Sequence, residues 1–492
     1  MNKYLLVSIV FLGFSCSSKL ESPTVIQSYS YPASHDQIVD FAKEAAKRSG
    51  NLAYHVFGNS TDGRELILVR TKSLKNENPL RVLVFAQQHG NEQSGKEALL
   101  LLIRDLANGN HKSWLKNMEI WVIPQLNPFG GLNNIRVNSE GVDLNRDHVL
   151  MLAPETRALH KIFHEFMPHV TIDIHEYQPF QKTWNEFGAY KNFDVQVGIP
   201  TNVNVDSSLV KFGLKSALPY IQNHLHEQGY SFQNYIVGPS PNLGRTRHST
   251  VDIDDGRHSF AILNTLSFIY EGINGRDSFK DNLERRTISQ YEALKALLNY
   301  LNQNTSQVVS MVGNARQQLI NAQPHDSVAI RMEHFPDGNS LVVNILSSKT
   351  GNDTIVEISD YHPVVRPTLK VTRPKGYLVP ANDSLLVTFL KLHRITYEPY
   401  TPNDEHTIKY SQINRIDISV DEELENRFPL VEWFSIKQSN LKCDYIFVPV
   451  KQLHSNFLVT VFEPQSMLGL AQREGFEYLL QENQMFPILR IE

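Results

Sequence analysis

Residues 81–106 read RVLVFAQQHGNEQSGKEALLLLIRDL. The segment opens on a continuous apolar run of strand length (81–87) and closes on a helical pattern (95–106), with the polar stretch His89-Gly90-Asn91-Glu92 between them. A strand with no polar face is buried on both sides, which requires a largely parallel sheet covered by helices. The same alternation continues outward. Residues 118–126 (MEIWVIPQL), 170–174 (VTIDI) and 266–270 (LSFIY) read as strands. Residues 154–166, 206–228 and 283–301 read as helices, the first opened by its proline. The pattern predicts an α/β unit over residues 31–305, with a mainly parallel or mixed sheet and helices on both faces. Such sheets carry their sites just beyond the carboxyl ends of the strands.

The chain has 492 residues, enough for about three folding units. Its apolar fraction of 41% and charged fraction of 20% are those of a globular chain with a sizeable core. A net charge of -5 leaves no basic footprint for nucleic acid. The only cysteines are Cys16 and Cys443, which excludes a disulfide scaffold and a cysteine zinc module. Any metal must rest on His, Asp and Glu, and Cys443 reads as a packed thiol.

Residues 1–16 have a basic start at Lys3, an apolar run over 4–14 and small residues after it, the pattern of an exported leader. The stretch is similar to a bacterial lipoprotein signal, which implies attachment to the cell envelope through a lipidated Cys16; an ordinary cleaved leader is the alternative. No other apolar run approaches membrane-spanning length. A polar stretch over 302–323 then leads to a β-rich second unit, 325–492. There SVAIRM, SLVVNIL, TIVEIS, YIFVPV and FLVTVF read as strands and 384–393 as a helix.

The polar residues fall where a parallel sheet would gather them. HGNE follows the first strand, Asp143-Leu144-Asn145-Arg146 lies in the loop after the second, and His175 and Glu271 directly follow the other two. His89 and Glu92 are three apart in a turn entering a helix, and a distant His175 supplies a third ligand. Zinc held by three protein groups keeps a fourth position for water, as hydrolysis requires. The stretch from His164 to His169 has one residue too many for HExxH, and Pro168 breaks the helix that motif needs. His160 and His164 read as a solvated helix face. There is no GxSxG, Walker A or GxGxxG pattern.

The set HGNE (89–92), NPFGG (127–131), RVNSEGVDLNRD (136–147), DIHE (173–176) and FIYEG (268–272) resembles the M14, carboxypeptidase A-like, family of zinc metallopeptidases. The resemblance covers residues 31–305 and implies a zinc carboxypeptidase-like fold. It also implies one zinc per chain on His89, Glu92 and His175, with Asp143 behind the first histidine. Glu271 is implied as general base and acid toward a zinc-activated water, and Arg136 as the group that polarises the scissile carbonyl. Asn145 and Arg146 are implied to hold the terminal carboxylate of a peptide substrate. A zinc amide hydrolase on acyl-amino acids or peptidoglycan peptides, and a catalytically weak peptide- or glycan-binding protein, are the alternatives. Asn91 stands where digestive members carry arginine, and neither Tyr230 nor Tyr235 is selected as the family's active-site tyrosine. Residues 256–258 (GRH) and Arg276 are candidates for substrate contact, and Glu176 is expected to point away from His175.

Overall fold

The computed structural model describes residues 19–72, 76–403, 405–421, 424–441 and 443–492; the stretch expected to be a leader, with Cys16, lies outside the described residues. The strands up to residue 273 are β1 (Leu52–Asn59), β2 (Glu65–Thr71), β3 (Leu80–Ala86), β4 (Met118–Ile123), β5 (Val170–Tyr177), β6 (Ala189–Lys191), β7 (Val195–Gly198), β8 (Phe232–Asn234), β9 (Thr246–Arg247) and β10 (Leu266–Ile273). One mixed sheet has the order β1-β2-β4-β3-β5-β10-β7-β8. Its four central strands, β4, β3, β5 and β10, are mutually parallel, while β2 and β7 run against them. Four carboxyl ends therefore share one rim.

The two-residue period explains why the central strands look uniformly apolar. In β3, Val82, Val84 and Ala86 enter one core, and Leu83 and Phe85 enter the other. The first core holds Leu99 of the Gln93–Ala107 helix and Leu294 of the Leu283–Gln303 helix; the second holds Leu159 and Phe163 of the Pro154–Phe166 helix. Each fully buried aliphatic side chain contributes about 2 kcal/mol. In β5, Ile172 and Ile174 take the first face, leaving Asp173 and His175 on the second. In β10, Phe268 and Tyr270 do the same and put Glu271 beside His175, its registered partner on β5.

The second half is joined closely to the first. Strand Leu341–Ser347 pairs with β6 as well as with Asp353–Ile358, and Tyr361–His362 pairs with β9. A six-stranded sheet follows, and its core runs into the second core of the main sheet through Tyr377, Phe389, Phe457 and Phe462. Several elements differ from expectation. The polar stretch contains the helix Thr305–Ile320, because Val308, Val312, Ala315 and Leu319 form a buried stripe at spacings of four, three and four. FLVTVF lies in the helix Ser455–Phe462, buried all round, and an apolar run without a period does not distinguish strand from helix. The hairpin Ile408–Asp421 with Leu424–Ile436 lacks a clear strand pattern in the sequence, because polar residues occupy many of its positions.

His160 is also not solvated. It is 5% exposed, 3.0 Å from His148 and edge-to-face with His393 of the second half, while His164 lies near His454. Burial lowers His148 to about 3 and His164 and His393 to about 4, and holds His160 and His454 well below the ordinary imidazole range. These rings stay neutral in the fold, whereas the unfolded chain takes up protons as pH falls through about 6.5. Stability therefore falls on acidification, by about 1.4 kcal/mol per pH unit for each fully engaged ring. Thermal melts should show the midpoint dropping steadily from pH 6.5 to 4.5. A midpoint that stays level over that interval would contradict it.

Candidate active site and metal centre

The chain turns out of β3 at Gln87, which has a left-handed φ of 57°. Gly90 lies so close to the Pro128–Asn133 helix that a Cβ there would strike the backbone of Gly130. That helix is capped by Asn127, whose Oδ1 accepts from the Gly130 amide at 2.8 Å. The HGNE turn is thus wedged against NPFGG, and the chain returns through Arg136, Asp143, Asn145 and Arg146 to the same rim.

His89 Nδ1 and His175 Nδ1 lie 3.1 Å apart, with Glu92 Oε1 2.7 Å from the first and Oε2 2.9 Å from the second. All three residues are buried, and they form a cluster able to hold a metal ion. Two imidazole nitrogens and a carboxylate are the donor set of a borderline dication such as zinc. The far side of each ring faces an acid: His89 Nε2 is 3.1 Å from Asp143 Oδ1, and His175 Nε2 is 2.9 Å from Asp173 Oδ1. Such carboxylates fix which ring nitrogen is left to face a metal. Asp173 carries no motif of its own in the sequence, although the strand period places it on the face of His175. The Glu176 amide donates to Glu92 Oε2 at 3.0 Å, while the Glu176 side chain turns away to Arg286 and Ser94, as alternation requires.

A cavity of about 280 Å³ opens onto this cluster and is lined by His89, Glu92, Arg136, Asn145, Arg146 and Glu271. Burial raises the Glu271 carboxyl to about 7; the His175 and His89 charges oppose this and Glu92 reinforces it. Burial also pushes Glu92 upward, but His89 and His175 outweigh it and hold that carboxyl well below the usual range. Two neighbouring carboxylates with divergent proton affinities suit different roles, one as a permanent anion and one as a proton carrier. Arg136 is tied to Asp143 by Nε at 2.8 Å, and its Nη1 reaches 3.3 Å from His89 Nδ1. Asn145 is buried and Arg146 is exposed at the rim.

Tyr235 lines the cavity, whereas Tyr230 lies under Arg285, 5.0 Å from its guanidinium. Of the other candidates, Gly256 donates its amide to Asn145 Oδ1 at 2.7 Å, and Arg257, which lines the cavity, is buried against Asp255. Arg276 stacks on Phe180 beside a separate cavity of about 400 Å³. A separate groove of about 790 Å³, lined by Arg331, Phe428 and Met467, contains none of His89, Glu92 and His175.

Residues 38–150 match the family model described as zinc carboxypeptidase, of the M14 peptidases. Carboxypeptidase 2 of Trichophyton rubrum is 26% identical over 391 residues, covering 75% of this chain and 70% of its own length. Carboxypeptidase 2 of Trichophyton equinum is 25% identical over 391 residues, with the same coverage of 75% and 70%. A metallo-carboxypeptidase from Pseudomonas aeruginosa, solved with (2-guanidinoethylmercapto)succinic acid, superposes with a TM-score of 0.44 at 18% identity, over 56% of this chain and 70% of that one. This peptide hydrolase is similar to the M14 zinc carboxypeptidases over residues 38–150, the stretch that supplies His89 and Glu92 to the buried His-Glu-His cluster at the rim of the mixed α/β sheet.

Proposed function

We propose that the protein binds one zinc ion through His89, Glu92 and His175 and removes residues from the free carboxyl end of peptides. The observation that carries this reading is the joint presence, in one cavity, of metal-facing residues, a buried carboxyl near neutrality and an Asn-Arg pair. Zinc supplies Lewis-acid chemistry there, acidifying water and polarising a carbonyl. Glu271 takes the proton from the attacking water and returns it to the leaving amine. Arg136 donates to the carbonyl oxygen as negative charge develops on it. Arg146 presents a planar fork to the substrate carboxylate, and Asn145 adds an amide donor. The leader and Cys16 support a place in the cell envelope, tested by mass spectrometry of the membrane fraction for acylated Cys16.

Arg146→Ala tests the substrate class. Loss of a charge-assisted pair costs about 1.5–3 kcal/mol, so kcat/KM for a free-carboxyl peptide should fall about 10- to 100-fold. The same peptide with an amidated end should be affected less than about threefold, because the neutral amide offers no carboxylate to the fork. Equal losses on both substrates would replace the carboxypeptidase reading with a deacylase or endopeptidase.

A further inference from the structure

Gln88, the residue before the first metal-facing histidine, is fully buried with 0% exposure. Its Nε2 donates to Asn145 Oδ1 at 3.0 Å and to Asp173 Oδ2 at 2.9 Å. Its Oε1 lies 2.8 Å from His148 Nε2. Two oxygens on the Nε2 side leave the amide only one orientation, with its carbonyl oxygen accepting from His148. Asn145 Oδ1 is then doubly occupied, by Gln88 and by the Gly256 amide at 2.7 Å. The Asn145 side chain is thereby fixed with its NH₂ group left for the cavity it lines. Turned the other way, Asn145 would present its oxygen to an incoming carboxylate and repel it. The other acceptor, Asp173, faces His175 Nε2 through its second oxygen at 2.9 Å. The space is closed, since a Cβ at Gly256 would strike both Asp173 and Gln88.

We propose that Gln88 is a positioning residue that ties the two halves of the site together, setting Asn145 as a donor toward the substrate carboxylate and steadying Asp173 behind the metal-facing His175. The inference rests on the carboxypeptidase reading above and goes beyond it by assigning carboxylate discrimination to a residue that does not line the cavity. A buried glutamine that only filled space would affect folding without changing the selectivity between free and amidated ends.

The test uses zinc-loaded full-length Gln88→Leu and Gln88→Glu. The glutamate variant keeps the shape and the oxygen facing His148 but puts an oxygen against Asn145 Oδ1 and Asp173 Oδ2. The free-acid to amide ratio of kcat/KM should fall about tenfold in both, mainly through a higher KM for the free acid. Zinc affinity, measured by competition with a chromogenic chelator, should weaken about tenfold. In an Asn145→Ala background, Gln88→Leu should leave the ratio unchanged. A ratio within twofold of wild type in both variants overturns the proposal, as does a further drop in the Asn145→Ala background or an unaltered zinc affinity. Failure of both variants to fold also overturns it, leaving Gln88 a packing role. A wild-type enzyme that does not distinguish the two ends would instead sink the carboxypeptidase reading.

Discussion

Replacement of Glu271 by Gln is expected to lower kcat about 10³-fold while zinc remains bound. The substitution is isosteric and removes only the capacity to take and return a proton. Glu271 sits on β10 opposite His175, on the face where the metal-facing side chains converge, yet it is not a member of the His89-Glu92-His175 cluster. Loss of metal therefore does not accompany loss of the base. The sign of the accompanying stability change follows from the proton affinity. A carboxyl raised to about 7 by burial is less favourable as an anion in the fold than in the unfolded chain, at every pH above its ordinary value of 4.5. Removing that anion should leave the metal-free melting temperature no lower than that of wild type at pH 7. Zinc content, melting temperature and single-turnover hydrolysis check the three parts. Turnover at the wild-type rate with full zinc would assign the proton transfer to another group.

The parallel core of the sheet is legible in the chain because helices cover both its faces, so 81–87, 118–123, 170–174 and 266–270 carry mostly apolar runs followed by polar residues. His89, Glu92, His175 and Glu271 follow directly, since each lies at or just past the end of such a run. What stays hidden depends on contacts between distant segments. Asp173 looks like an interruption of VTIDI until the two-residue period is counted back from His175. The burial of His160 is not encoded in its helix at all; it results from the second half bringing His393 and His454 against that face. The Asn145 orientation likewise depends on Gln88 and Gly256, which are 57 and 111 positions away. The choice between Tyr230 and Tyr235 needed the course of the chain after β8, which spacing alone does not supply.

Glu92→Gln should abolish metal binding without unfolding the protein. Glu92 is the only anion in the His-Glu-His cluster, and the two imidazoles hold its carboxyl ionised well below the usual range despite burial. A dication placed among two neutral imidazoles and a neutral amide loses the one ligand charge that offsets its dehydration. The glutamine keeps the volume and one oxygen for the Glu176 amide, so the turn entering the Gln93–Ala107 helix retains that support. Purified wild type should carry about one zinc per chain, and the variant should fall below about 0.1 after dialysis. Activity should drop by at least about 10³-fold, because both the Lewis acid and the water it orients are lost. The melting temperature supplies an independent readout. A ligand at about 1,000 times its Kd stabilises the native state by about 4 kcal/mol, so chelation should lower the midpoint of wild type markedly. The variant has no such stabilisation to lose, and its midpoint should be the same with and without chelator. If Glu92→Gln instead keeps stoichiometric zinc and the chelator-sensitive melt, the anion that neutralises the metal lies elsewhere, with Asp143 and Asp173, which back the two histidines, as the first places to look.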